Sequence, residues 1–210
     1  MPLPRFSRLD PDERHRILAG AADEFGKDGF AKASLNRIIK TIGLSKGAMY
    51  YYFDGKGDLY GAVIDHAVQL FVANHHSFDV DDVTPDRYWA QLEEVARANL
   101  RFLDAHPWVA GIARTISTAL PDTPGGRLNE TIRRWTERYL VRGQEIGIVR
   151  EDLPLDLLVN AVIASGEAVD RWMLDHWEEE PDEVDSLVPL ALDLLKRLVE
   201  PGPTRALEEN

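Results

Sequence analysis

The chain has no cysteine, so neither a disulfide framework nor a thiolate metal site is available, and packing alone must hold the fold. No apolar run approaches the length that a membrane span needs. The opening stretch, Met1 to Asp10, carries proline, arginine and serine but no continuous apolar segment, and the expectation is a soluble, cytoplasmic protein with no membrane partner. Period-two alternation and sequence repeats are missing as well, which favours an all-α fold. No glycine-rich phosphate loop and no nucleophile–base pairing is found. Glu93-Glu94 and the run Glu178–Glu180 read as solvated helix faces, so no catalytic residue is assigned and an enzyme is not expected.

Positive charge is also scarce: the 210 residues carry a formal net charge of −12. That deficit is uneven. Residues 1–60 hold ten Lys/Arg against eight Asp/Glu, whereas the other 150 hold 14 against 28. A neutral-to-basic head on an acidic body fits a part that approaches phosphate and a part that phosphate repels.

What is present is helical patterning with clear punctuation. Asp10-Pro11-Asp12-Glu13 supplies an N-cap, a proline at the first helical position and a glutamate placed to close a capping box. Ile17, Leu18, Ala21, Ala22 and Phe25 follow at helical spacing until Lys27-Asp28-Gly29 ends the run. Ser34 caps a second helix with Leu35, Ile38, Ile39 and Ile42 on one face, and Gly43 stops it. Ser45 caps a third that reaches Tyr52 or Phe53 before Asp54-Gly55. A long fourth helix extends from Lys56 to about Phe78.

Beyond the acidic stretch Asp79–Thr84, a helix starting at Thr84-Pro85 should stop before His106-Pro107, because the residue before proline disfavours helical backbone. A shorter helix carries Trp108, Ile112 and Ile116, Pro121–Gly126 reads as a loop, and Leu128, Ile132, Trp135 and Tyr139 mark a helix ending near Gly147. Pro154 to about Trp177 is apolar on more than one face and so needs two neighbours. Leu187, Ala191, Leu194, Leu195 and Leu198 define a last helix before Pro201, giving about nine in all.

Three short helices joined by a glycine-bearing turn describe a helix-turn-helix, whose second paired helix enters the major groove of duplex DNA. On that helix, Met49 and Phe53 are spaced to pack inward, leaving Lys46, Gly47, Tyr50 and Tyr51 on another face. Exposed tyrosines can bond phosphate oxygens and touch thymine methyls. Gly47 lowers helicity in a first turn, a cost that close approach to a DNA strand explains. Ser34 and Ser45 cap helix N-termini that attract phosphate, and Lys56 can reach the DNA backbone.

The stretch Gly29–Tyr60, above all GLSKGAMYYYFDGKGDLY from Gly43, resembles the TetR family of one-component repressors. The matching elements are Gly29-Phe30, Ser34, Gly43-Leu44-Ser45, Gly47, Tyr50, Tyr52-Phe53, Lys56 and Leu59. The resemblance implies an all-α protein with a helix-turn-helix domain over 1–55, a helical ligand-binding and dimerisation domain over 56–200, and a tail over 201–210. It implies phosphate contacts from the helix-two N-terminus, Tyr50, Tyr51 and Lys56, with Asn36, Lys46 and Ala48 as base-edge candidates. Ile39 and Ile42 depart from the family pattern, which usually has alanine there, and make that helix bulkier.

By the same resemblance the last two helices form a four-helix dimer interface, so the expected partners are a second copy, a pseudo-palindromic double-stranded operator and a small-molecule effector. Release from DNA is the family's usual response. Trp89, Phe102, Trp108, Trp135, Tyr139 and Trp172 are rich enough in aromatic surface to line a pocket for a mostly apolar ligand, with Arg114, Glu167, Asp170 and Arg171 as polar anchors. His75-His76 and His66 invite a metal reading, but adjacent helical residues point about 100° apart and rarely share an ion; no metal and no cofactor is expected. The alternatives are a helical protein-interaction module of the same fold without DNA binding, or a small-molecule-processing enzyme.

Overall fold

The computed structural model describes residues 2–75, 79–115, 124–176 and 181–202. Among them it is all helical: α1 Pro11–Lys32, α2 Leu35–Thr41, α3 Lys46–Tyr52, α4 Lys56–His75, α5 Tyr88–Ala105, α6 Pro107–Ala113, α7 Pro124–Glu145, α8 Leu155–His176 and α9 Pro181–Val199, with 3₁₀ turns at Phe6–Arg8 and Val80–Asp82. Ile116, His76, Phe78, Trp177, Glu178–Glu180 and Pro121–Thr123 lie outside the described residues.

Local chemistry sets most boundaries. The Asp10 carboxylate accepts from the Asp12 N–H at 2.9 Å and Pro11 opens α1. Glu13 does not close the expected capping box. Its carboxylate instead takes a two-point pair from Arg16, at 2.7 and 2.9 Å. A charged, forked acceptor–donor match outcompetes a single backbone N–H. The helical course breaks at Gly29, whose φ of 67° only glycine adopts readily, and one more turn runs to Lys32. The fifth helix begins at Tyr88 rather than at Thr84-Pro85, because residues 85–87 form a turn in which the Arg87 N–H donates to the Thr84 carbonyl.

Packing divides the chain into two units, Met1–Asn74 with Arg101–Asn129, and His75–Leu100 with Glu130–Asn210. The first unit extends past the motif boundary at residue 55 because α4 shares its core. Ile17, Ala21 and Phe25 of α1, Ile38 and Ile42 of α2, Met49 and Phe53, and Leu59 and Val63 of α4 are buried together with Val109 and Ile112 of α6. Helices α1 and α6 approach closely enough that a Cβ at Gly26 would sit 3.1 Å from the Gly111 backbone. Burying each such large apolar side chain contributes roughly 1.5–3 kcal/mol.

In the second unit, α5 and α7 are joined by Tyr88 and Tyr139. The Tyr88 hydroxyl donates to the Tyr139 carbonyl at 3.1 Å, the Tyr139 hydroxyl donates to the Tyr88 carbonyl, and the rings stack at 4.4 Å. Burial pushes both hydroxyls well above the usual tyrosine range. Val80, Val83, Val149, Leu158 and Val199 complete this core.

Candidate nucleic-acid interface

Helix α2 ends where Gly43 takes φ 69°, and the Leu44 N–H donates back to the Ile39 carbonyl at 3.1 Å. Two residues later Ser45 caps α3 by accepting from the Ala48 N–H at 3.0 Å. This short αL turn lets the second helix leave in a new direction. Met49 and Phe53 are fully buried beneath α3, while Tyr50 and Tyr51 are 51% and 49% exposed. Lys46 and Gly47 are exposed on the same helix and Ala48 is half-buried. The inward pair therefore fixes which face of α3 looks outward.

Among the described residues nothing crowds Gly47: a Cβ there would meet only the Ser45 hydroxyl, at 3.8 Å, an ordinary contact. Ser34 caps α2, its hydroxyl accepting from the Arg37 N–H at 3.4 Å, and Asn36 is exposed on the first turn. Lys56 stands less free than its sequence position suggests. Its ammonium donates to the Ala33 and Ala31 carbonyls at 3.1 and 3.3 Å and lies 4.7 Å from the Phe30 ring centre. It thus ties the start of α4 to the end of α1.

Sequence reasoning missed the groups that set the pose of α2. Glu24 of α1 accepts from the Ser34 N–H at 2.9 Å and from Arg37 at 2.7 Å, and Asp28 takes the other arm of the same guanidinium. The Ser34 N–H, followed by the Arg37 guanidinium, holds the Glu24 carboxyl below the usual carboxylate range. Arg16 reaches the opposite end of α2, donating to the Ile42 carbonyl at 2.6 Å. The bulk of Ile42 is met by Gly20 of α1, where a Cβ would lie 2.9 Å from the Ile42 Cγ2. Glu24 and Asp28 share one face of α1 by their spacing, but nothing in the spacing names Arg37 as their partner.

A family model described as bacterial regulatory proteins of the tetR family matches residues 17–63, a span that runs from inside α1 through α2 and α3 into α4. Over that span the chain carries a tetR-type domain. The transcriptional repressor AcnR of Corynebacterium diphtheriae is 28% identical over 156 residues, covering 69% of this chain and 72% of that protein. An HTH-type transcriptional regulator of Staphylococcus aureus is 29% identical over 102 residues, covering 45% of the chain and 55% of the relative. Among solved structures, a TetR family regulator from Chloroflexus aurantiacus superposes with a TM-score of 0.67 at 21% identity, over 96% of this chain and all of that one. FadR of Bacillus subtilis, solved in complex with stearoyl-CoA, superposes at 0.69 with 16% identity, over 86% and 96%. These relatives are transcriptional regulators, and this chain shares the tetR-type domain over residues 17–63 and the all-helical fold of the solved regulators.

The residues expected to line an effector site fall in both packing units. Phe102 and Trp108 are in the first; Phe102 is buried against Phe71 and His106, and half-buried Trp108 flanks His15 and His66. Trp89, Trp135, Tyr139, Glu167, Asp170 and Trp172 are in the second. Tyr139 is core, committed to Tyr88 and stacked on Trp135 at 5.0 Å. Trp89 and Trp135 are half-buried, and Glu167, Asp170, Arg171 and Trp172 are exposed on α8, with Arg114 exposed at the end of α6. His66 faces His15; the His75 side chain, like His76, lies outside the described residues. Among the described residues no His/Cys/Asp/Glu group is arranged to hold a metal, and no helix is long and apolar enough to cross a membrane.

Proposed function

We propose that this protein is a TetR-type repressor that binds a pseudo-palindromic operator as a homodimer, working in the compartment that holds the DNA, and that a small, mostly apolar ligand releases it. The observation that carries the reading is the outward face of α3. Lys46, Gly47, Tyr50 and Tyr51 stand in solvent over a buried Met49–Phe53 anchor, which is what a groove-entering helix requires. Lys46, Ala48 and Asn36 read base edges. Ser34, Ser45, Tyr50, Tyr51 and Lys56 contact phosphates, and the bare Gly47 lets a strand approach.

Dimerisation is supported by α8 and α9. Leu157, Trp172, Leu190 and Leu194 are between 40% and 64% exposed, more apolar side chain than a solvated surface ordinarily leaves on two adjoining helices. A dimer doubles the phosphate contacts and fixes half-site spacing. For the ligand, Trp89 and Trp135 offer half-buried aromatic surface in the second unit, with Glu167, Asp170 and Trp172 at hand on α8. The likeness to a FadR solved with stearoyl-CoA supports the apolar class. Such a ligand acts by binding one conformation of the protein better than the DNA-bound one.

The test is selection of bound fragments from random duplex DNA, then footprinting and a screen of apolar ligands for release. A recovered site with twofold symmetry, protected by the full chain, is the expected result. A footprint without symmetry overturns the dimeric reading, and no enrichment of any sequence overturns the operator.

A further inference from the structure

The segment that precedes α1 plays no part in the helix-turn-helix motif, yet it is built onto the back of α3. The Leu3 N–H donates to the Tyr52 carbonyl at 2.9 Å, satisfying one of the carbonyls that the end of α3 leaves open. Phe6, buried, sits 4.6 Å from the Phe53 ring centre and edge-on to Tyr52 at 6.0 Å. Ser7 is fastened twice: its hydroxyl donates to the Pro4 carbonyl at 2.8 Å, and its own carbonyl accepts from Arg14 of α1 at 3.0 Å. Anchored on both sides, this arm has little freedom to swing away. Its position delivers one side chain to the candidate interface: the Arg5 guanidinium lies 4.3 Å from the centre of the exposed Tyr51 ring.

We propose that residues 3–8 form part of the DNA interface and that Arg5, whose guanidinium lies over the Tyr51 ring, is a phosphate-binding side chain. A guanidinium held over an aromatic face by a cation–π contact keeps its N–H donors available to phosphate oxygens. The ring fixes the guanidinium ahead of binding, so less side-chain freedom is lost when the contact forms. The charge matters in a chain whose net charge is −12, because cations on the reading side set the electrostatic share of affinity. Arg37 is tied to Glu24 and Asp28 and Lys56 to two carbonyls, whereas Arg5 is held over a ring and takes no hydrogen-bond or ion-pair partner among the described residues.

The inference rests on the DNA-binding reading, and the experiment separates the two. The full-length protein, Arg5→Gln and Lys46→Ala are titrated by fluorescence anisotropy onto a duplex recovered from the selection and onto an unrelated duplex, across a series of salt concentrations. Arg5→Gln is expected to weaken both duplexes alike. It should also flatten the slope of log affinity against log salt by about 0.9 for each protomer bound, the signature of one lost phosphate contact. Lys46→Ala should change the preference between duplexes instead. If Arg5→Gln leaves affinity and slope untouched while Lys46→Ala alters preference, the arm lies off the DNA and the inference fails alone. Affinity that falls with an unchanged slope means that Arg5 only steadies Tyr51, which also overturns it. Should the parent protein bind no duplex, both readings fall together.

Discussion

His15 Nδ1 of α1 and His66 Nε2 of α4 stand 3.0 Å apart, with the Trp108 indole of α6 stacked on His66 at 5.8 Å and edge-on to His15 at 5.9 Å. In the neutral pair one ring carries the shared proton and the other accepts it. Charging both rings would put like charges face to face in a half-buried site. Burial, then His15 and Arg14, lower the His66 pKa from the ordinary 6.5 to about 4.

His66 is neutral in the fold, whereas in the unfolded chain it takes up a proton as the pH drops below about 6.5. Its contribution is therefore whole above 6.5 and is lost as the pH falls toward 4, on the order of 2 kcal/mol by pH 5. Thermal unfolding should show a lower Tm at pH 5 than at pH 7, with the difference reduced in His66→Gln. An unchanged pH dependence in the variant would show that other groups carry it.

Gly20→Ala is expected to destabilise the head. The new methyl would meet the Ile42 Cγ2 at 2.9 Å, and overpacking of this kind costs about 1–3 kcal/mol, more than the roughly 1 kcal/mol that alanine gains over glycine in a helix. Ile42→Leu removes that branched methyl and should recover most of the loss in the double variant. Urea unfolding of the two single variants and the double one measures the coupling directly.

Gly47→Ala should move stability and DNA affinity in opposite directions. With no neighbour inside 3.8 Å, the substitution stabilises α3 by up to about 1 kcal/mol, and the Tm rises. Operator affinity falls, because the methyl occupies the space into which a DNA strand approaches. Unchanged affinity would mean that the glycine serves no interface.

Tyr50→Ala should weaken every duplex alike while sparing the dimer. Lys46→Ala should chiefly relax base preference. Lys56→Ala is a mixed case, since it deletes the bonds to Ala31 and Ala33 as well as a charge; both its Tm and its affinity should drop. Competition binding on matched and mismatched duplexes, with circular dichroism melts, separates the three.

Leu190→Glu with Leu194→Glu, on the exposed face of α9, should yield monomers in sedimentation velocity while leaving helicity intact. Operator affinity should then fall by roughly a hundredfold, since each head binds without its tethered twin. A dimer that survives both charges would place the interface elsewhere.

What the sequence determined by itself was local. Gly29, Gly43 and Gly147 stop helices at the expected places because each takes a positive φ that other residues resist. Ser34 and Ser45 start helices because a hydroxyl can reach an N–H three residues on. Met49 and Phe53 turn inward because four residues bring a helix round to the same face. Only the tertiary structure decided which surfaces meet: Glu24 with Arg37, Gly20 with Ile42, His15 with His66, and the Lys56 ammonium seated on α1 rather than held out in solvent. It also assigned Phe102 and Trp108 to one packing unit and Trp89 and Trp135 to the other. Caps and stops are settled by sterics and hydrogen bonds within one turn of chain, whereas a helical repeat marks a buried face without naming its neighbour. That choice falls to the packing of segments tens of residues apart.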